Sequence, residues 1–209
     1  MLRALTFFSF LLLSQASIAS CQAMLLSAVK SNSLPGADAA VRCGADLDLQ
    51  DDVGFTPVQW AIKEMHNEIA ILLLNRGASI EGRNRMGATP LHVAAVMNNA
   101  PMARALIRRG ASITAVSSEG WTSLHFTVAR EATDIAKLLI EKGAAVDAAT
   151  PEGETLLHMA ADGGRVTLVK LLLLHKASIT AKTREGLTPK DLAAKSGNKD
   201  VVALLEAPG

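Results

Sequence analysis

Aromatic residues are scarce in this chain, and the charges nearly cancel. Its 209 residues include no tyrosine, two tryptophans and five phenylalanines. A core with so few rings must rest on aliphatic contacts. Lysine and arginine together number 21, against 20 aspartates and glutamates. This balance argues against a nucleic-acid-binding protein, which needs a basic face.

A period of 33 residues runs through most of the chain. Five glycines recur at this spacing, each two residues before the threonine of a short motif: Gly54, Gly87, Gly120, Gly153 and Gly186. A second series has the same step, with Gly-Ala pairs at 44–45, 77–78, 110–111 and 143–144, continued by Lys176-Ala177. Such a period indicates one structural unit that is copied and stacked.

Each unit carries the start and stop signals of two helices. In one unit the Thr89 hydroxyl is placed to cap a free backbone N–H, and Pro90 suits the first helical position. Apolar runs such as 71–74 are too short to span a membrane and indicate the buried face of a second helix. The Gly-Ala step supplies the left-handed residue that commonly ends a helix. We therefore predict an all-α fold in which each unit is a turn, a short helix, a loop and a longer helix.

This pattern resembles the ankyrin repeat, whose unit reads roughly D-x-x-G-x-T-P-L-H-x-A-A and ends in L-L-x-x-G-A. Residues 85–95 read R-M-G-A-T-P-L-H-V-A-A and are close to a perfect copy. The resemblance implies a solenoid of helix-turn-helix units with short β-hairpin-like loops. The predicted boundaries are a degenerate N-terminal capping repeat at 24–48, repeats at 49–81, 82–114, 115–147 and 148–180, and a C-terminal capping repeat at 181–209.

The repeat at 115–147 departs most from the pattern. Ser123 stands where other units have proline, and Thr127-Val128 replaces the alanine pair. We expect this repeat to pack less regularly than its neighbours.

The first residues predict an export signal. Arg3 is followed by an apolar stretch at 4–13 and then by a segment rich in small residues at 14–21. This order is typical of a secretory signal peptide. Cleavage after Ala19 gives a signal peptide at 1–19 and a soluble periplasmic chain. Alternatively, residues 18–21, I-A-S-C, are similar to a bacterial lipobox. The signal then ends at residue 20, and a lipid on Cys21 anchors the protein to the outer membrane.

The two cysteines bear on the same choice. Export implies an oxidising compartment. Cys21 precedes the first helix of the degenerate repeat and Cys43 follows its second, so antiparallel helices would bring the two residues together. We predict either a disulfide between them or a lipidated Cys21 with Cys43 as an unpaired thiol.

The histidines do not form a recognisable metal or catalytic set. His92, His125 and His158 hold equivalent positions in consecutive repeats. Packed helices stand about 8–10 Å apart, whereas zinc ligands converge to about 2 Å from one ion. We expect each imidazole to hydrogen-bond its own and the neighbouring turn, and we predict no catalytic residues, no metal and no cofactor. A cryptic hydrolase or metal-dependent enzyme is the alternative from a different class.

Binding is the function that remains. The resemblance implies that partners engage the hairpin tips and inner helices, which form a concave face. Trp121 directly follows a hairpin glycine, where the side chain is expected to point outward, and tryptophan and arginine dominate binding hot spots. The alternative is that Trp121 folds back over its own repeat, while Trp60 and Phe126 are assigned to the core. The predicted partner-binding residues are Phe55, Arg85, Met86, Met97, Trp121, Arg130, Glu152 and Glu154.

We therefore expect a monomeric, exported, non-enzymatic protein that binds a protein partner through its concave face. It contacts no nucleic acid and reaches a membrane only through a lipid on Cys21. Two hypotheses differ in the partner. The protein is an immunity protein or inhibitor of a toxic periplasmic enzyme, or it is a protector or scaffold of a periplasmic stress enzyme.

Overall fold

The computed structural model describes residues 19–206, and it divides the chain into two compact units, Met1–Arg85 and Met86–Gly209. The predicted signal peptide at 1–19 lies outside the described residues, except for its last residue. None of the helices within 19–206 combines the length and the apolar composition that a membrane crossing requires.

The N-terminal unit contains four helices in its described part. They are α1 (19–30), α2 (Leu34–Cys43), α3 (Pro57–Lys63) and α4 (Asn67–Asn75). Helix α2 packs against α4, and α3 packs against α4. The buried side chains between them are aliphatic and include Leu25, Ile62 and Leu73.

The C-terminal unit continues with four further helix pairs. They are α5 (Pro90–Val96) with α6 (Ala100–Arg108), α7 (Ser123–Ala129) with α8 (Thr133–Glu141), α9 (Leu156–Asp162) with α10 (Val166–Leu174), and α11 (Pro189–Lys195) with α12 (Lys199–Glu206). The first helix of each pair, here called the inner helix, packs against the inner helix of the next pair. Between residues 19 and 206 the only β-structure is a pair of isolated bridges, Val116–Thr122 and Ala149–Thr155. The all-α solenoid class predicted from the sequence is confirmed.

The core is aliphatic, as the scarcity of aromatic residues predicts. The largest fully buried side chains are leucines and isoleucines together with Met102, and no ring of Phe or Trp is among the buried hydrophobic residues of the described chain. Small residues such as Ala94 and Ala160 are completely buried and let helices approach closely. Burial of this kind contributes about 25 cal/mol per Å² of apolar surface.

From α3 onward, a threonine caps the first helix of each helix pair. Each of these threonines takes part in a capping box, in which its hydroxyl accepts from the third helical residue and that residue's side chain accepts from the threonine N–H. Two otherwise unpaired backbone donors are satisfied in this way. The predicted capping role is confirmed at Thr56, Thr89, Thr122, Thr155 and Thr188.

Helix α7, in the repeat expected to pack less regularly, keeps the length of its neighbours. It has seven residues, like α5 and α9. The Thr127 hydroxyl is buried and donates to the Leu124 carbonyl at 2.7 Å, so the polar group is satisfied within its own helix. The Ser123 hydroxyl, in contrast, is buried without a hydrogen-bond partner. The substitutions in this repeat leave the Ser123 hydroxyl without a hydrogen-bond partner and do not change the length of the helix.

A disulfide joins Cys21 to Cys43, with the two Cα atoms 5.7 Å apart. Cys21 lies inside α1 rather than before it, because the helix already includes residue 19, and Cys43 is the last residue of α2. Two other contacts hold α1 in place. His66 Nδ1 lies 2.8 Å from the Val29 carbonyl, and the Asp46 N–H donates to Gln22 Oε1 at 2.9 Å.

Removing the disulfide should loosen the N-terminal unit. The bridge closes a loop of 22 residues, and the chain-entropy model assigns such a loop about 3 kcal/mol of stability. We expect the Cys21→Ser/Cys43→Ser variant to lose about this much, and hydrogen exchange to accelerate in α1 and α2. Urea unfolding with and without reductant checks the first point. A native protein with a diacylated Cys21, seen by mass spectrometry, would contradict the bridge.

Left-handed backbone recurs where each longer helix ends. Gly44, Gly77, Gly110 and Gly143 have φ between 88° and 98°, and Lys176 takes the fifth position with φ 62°. A β-carbon added to any of these four glycines would meet no atom within 4 Å. The constraint at this position is therefore the backbone angle and not the available space.

Lys176→Gly should stabilise the protein. A side chain in the left-handed region costs about 1–2 kcal/mol, and the greater freedom of glycine in the unfolded chain offsets part of the gain. We expect an increase of about 1 kcal/mol in the free energy of unfolding, measured by urea titration. Gly143→Ala is the matched control and should shift the midpoint the opposite way. Equal midpoints for Lys176→Gly and the parent chain would contradict the argument.

Candidate protein-interaction surface

The third residue of most capped inner helices links its own hairpin to the next one. His92 Nδ1 accepts from the Thr89 N–H at 3.0 Å, so its proton lies on Nε2. That Nε2–H points at the carbonyls of Ala115 and Trp121, both 3.1 Å away in the following repeat. The predicted structural role of this histidine is confirmed.

The same link occurs on both sides of His92 along the chain. His158 accepts from the Thr155 N–H at 3.2 Å and donates to the Leu187 carbonyl at 3.0 Å. Gln59 reproduces the arrangement with an amide, since its Oε1 accepts from the Thr56 N–H and its Nε2 donates to the Gly82 carbonyl. The third residue of the inner helix therefore needs one hydrogen-bond acceptor and one donor in its side chain, and both imidazole and a glutamine amide supply them.

His125 is the exception among the three. Its Nδ1 accepts from the Thr122 N–H at 3.1 Å, but its buried Nε2 makes no hydrogen bond of standard geometry. Burial lowers the pKa of His125 to about 4; the nearby Ala148 carbonyl opposes this shift and His92 reinforces it. The imidazole is therefore neutral at pH 7.

The lowered pKa makes stability depend on pH. In the unfolded chain this histidine takes up a proton near its usual pKa of about 6.5, whereas in the folded chain it does so only near 4. Between these values the unfolded state binds more protons, so the contribution of His125 is complete above about pH 6.5 and is lost as the pH falls toward 4. We expect the urea midpoint to drop between pH 7 and pH 5.

His125→Gln is the matched variant, because Gln59 occupies the equivalent position in the chain. We expect its midpoint to fall less over the same pH interval, since glutamine does not titrate. Parallel pH profiles for the two proteins would show that His125 does not govern this dependence.

Neighbouring hairpins of the C-terminal unit pack directly against each other. The Ser118 N–H donates to the Met86 carbonyl at 2.9 Å, and the Arg184 N–H donates to the Glu152 carbonyl at 2.9 Å. Proline stands at the equivalent donor position, 151, and has no N–H to offer. Its ring instead lies against Gly120, where a β-carbon would come within 2.8 Å of Pro151 Cδ. Hairpins 117–122 and 150–155 are thus immediate neighbours.

Trp121 lies on this hairpin row and is half-buried. Its ring packs 5.2 Å from the Phe126 ring and 6.1 Å from the His125 ring, centroid to centroid. Its carbonyl accepts from His92 and from the Ser117 N–H. The side chain therefore covers part of its own repeat, as one of the two alternatives proposed, and still leaves part of the indole accessible.

Phe126 was expected in the core, but it is only half-buried. It meets His92 edge-on, with ring centroids 5.5 Å apart, and presents its remaining surface beside Trp121. Met86 and Met97 of the same unit are 61% and 37% exposed. The Met86 carbonyl is hydrogen-bonded to the hairpin of Trp121, whereas Met97 follows the C-terminal end of α5, at the other end of the inner helix. We call Met86, Trp121 and Phe126 the Trp121 surface.

The N-terminal unit carries a different aromatic group. Trp60, also assigned to the core from the sequence, is half-buried and packs 5.4 Å from Phe55. Its Nε1–H donates to Asp51 at 2.6 Å, and Lys63 and Lys30 lie 3.9 Å and 4.5 Å from its ring centroid. Partial burial disfavours the charged form of Asp51, but the hydrogen bonds from Trp60, Phe55 and Val53 and the charge of Lys30 outweigh it and lower its pKa.

Comparison with known families identifies the repeated unit. A family model described as ankyrin repeats in three copies matches residues 25–117 and 124–208. This chain belongs to the ankyrin repeat family. Ankyrin repeats are protein–protein interaction modules and are typically not enzymes. No curated protein matches the chain.

The predicted partner-binding residues are divided between the two ankyrin units. Phe55 and Arg85 belong to the N-terminal unit, where the Arg85 stem lies against Gly54. The other six belong to the C-terminal unit, in which Arg130 and Glu152 are exposed and Glu154 is half-buried. Trp121, Met86 and Met97 thus lie in one ankyrin unit, and Arg85, the residue before Met86, is the last residue of the other.

Sequence reasoning missed Phe126 and Trp60 as surface residues. Both occupy the residue after the linking histidine or glutamine in an ankyrin inner helix. A signal was available, because a seven-residue helix has few positions where a ring fits inside. Residues 19–206 also hold no group of three or more His, Cys, Asp or Glu side chains suited to a metal ion.

Proposed function

We propose that this ankyrin protein binds a protein partner through the Trp121 surface of its C-terminal unit. The observation that supports this is a partly exposed tryptophan packed on a partly exposed phenylalanine, with exposed Met86 on the adjoining hairpin. Aromatic and methionine side chains are enriched at protein interfaces, and tryptophan is prominent among hot-spot residues.

The backbone beneath this surface is already ordered. The Trp121 carbonyl is held by two hydrogen bonds, and its N–H donates to the Ser117 hydroxyl at 3.3 Å. Phe126 is fixed by its contact with buried His92. A surface that needs little ordering on association loses less entropy when it binds.

The proposal also covers the compartment in which the protein acts and the kind of partner that it binds. We propose an exported protein that acts in the periplasm, supported by the charged start, short apolar stretch and small-residue exit of residues 1–19. Its partner is an enzyme that it either inhibits, as an immunity protein, or protects. Both roles require a non-enzymatic binding surface. Purifying the captured enzyme and assaying it with and without this protein distinguishes inhibition from protection.

Trp121→Ala should weaken capture of the partner much more than it weakens the fold. A hot-spot tryptophan contributes about 2 kcal/mol or more to binding, so we expect a loss of about tenfold or greater in affinity. The half-exposed ring accounts for a fall of only a few degrees in Tm. Quantified pull-down from periplasmic extract and thermal unfolding measure the two effects.

Trp60→Ala is the matched control, since it removes the other tryptophan, which lies in the N-terminal unit. It should retain capture if the Trp121 surface is the binding site. A Trp121→Ala protein that unfolds at a much lower temperature and binds with unchanged affinity would show that this tryptophan is structural.

A further inference from the structure

The hairpins around Trp121 carry carboxylates without counter-ions. Hairpins 117–122 and 150–155 contain Glu119, Glu152 and Glu154 and no basic residue. Within the described chain none of these three glutamates takes part in an ion pair, whereas Glu131 contacts Arg165 at 3.4 Å. Their negative charge is therefore not neutralised by a neighbouring side chain.

Repeat geometry places these carboxylates beside the indole. Glu119 is two residues before Trp121 at the tip of the same hairpin. Glu154 holds the position in the next repeat that Trp121 holds in its own, and the contact of Pro151 with Gly120 brings the two hairpins together. Equivalent positions in packed helices are about 8–10 Å apart. One extended segment of a partner can contact the ring and all three acids.

Two basic residues of the C-terminal unit differ in position: Arg130 is remote from this group, and Arg184 adjoins it. Arg130 follows the C-terminal end of α7, at the opposite end of the inner helix from hairpin 117–122. Arg184 belongs to the hairpin after Glu152 and reaches it through a backbone hydrogen bond. Neither arginine forms an ion pair among residues 19–206.

We infer that the partner presents a basic segment with an apolar anchor to this surface, an inference that rests on the proposed function. The anchor covers Trp121 and Phe126, and lysine or arginine side chains meet Glu119, Glu152 and Glu154. A neutral partner would remove these carboxylates from water without compensation, which is costly. An acidic protein or a nucleic acid would be repelled, since like charges across an interface disfavour the wrong partner.

A peptide selection tests this chemistry directly. Short random peptides displayed on phage are selected on the full immobilised chain and then counter-selected on Trp121→Ala. We expect the selected peptides to carry net positive charge together with a large apolar residue. Binding of a synthetic selected peptide is followed by Trp121 fluorescence in a Trp60→Phe background, where Trp121 is the remaining tryptophan.

Charge variants then report on the carboxylates. We expect the Glu119→Gln/Glu152→Gln/Glu154→Gln protein to bind the peptide at least about tenfold more weakly, and added salt to weaken binding to the parent chain. Glu141→Gln, at the end of α8, changes an exposed carboxylate outside this surface and should leave the affinity unchanged.

The outcomes separate the two proposals. Neutral or acidic peptides that need Trp121 would overturn the basic partner and leave the binding surface standing. Equal affinities for the triple variant and the parent chain would do the same. Peptides that bind Trp121→Ala as well as the parent chain, or a selection without binders, would overturn the Trp121 surface itself.

Discussion

The structure depends on a buried side chain that recurs along the chain and forms hydrogen bonds with two neighbouring hairpins. In each capped inner helix that carries it, the third residue accepts from the threonine N–H behind it, and at His92, His158 and Gln59 it also donates to a carbonyl ahead of it. Because an unsatisfied buried donor or acceptor costs about 1–3 kcal/mol, neighbouring repeats are held in one register. The side chains at the hairpin tips do not form this link, so they vary from repeat to repeat and are available for recognition.

The different roles of the inner positions and the hairpin tips explain why the surface residues of the C-terminal unit vary from repeat to repeat. Inner positions are small or aliphatic and follow the period closely, whereas the residue after each hairpin glycine changes from Ala88 to Trp121 to Glu154 to Leu187. Such positions carry little information about the fold. Under the proposed function, their chemistry reflects a partner: the ring supplies apolar area, and the acids meet positive charge.

Much of the fold could be predicted from local signals, and the errors have a common cause. Threonine caps, proline starts and left-handed glycines are set by backbone chemistry within a few residues, so the helices and the family followed from the period. Trp60 and Phe126 were wrongly assigned to the core because their exposure depends on side chains from other segments, such as Lys30 over Trp60. The placement of Cys21 was also wrong, because α1 already includes residue 19. The predicted partner-binding site stays a prediction, and spacing alone does not say which of its charged residues form ion pairs.

Proline at position 151 has a mechanical consequence. Backbone hydrogen bonds join the hairpin at Met86 to that at Ser118, and the hairpin at Glu152 to that at Arg184, but Pro151 has no N–H for the joint between them. There the tips meet through van der Waals contact alone, which resists sliding far less steeply than a directed bond does. The spacing of these two tips is therefore set by side-chain packing and not by a main-chain link.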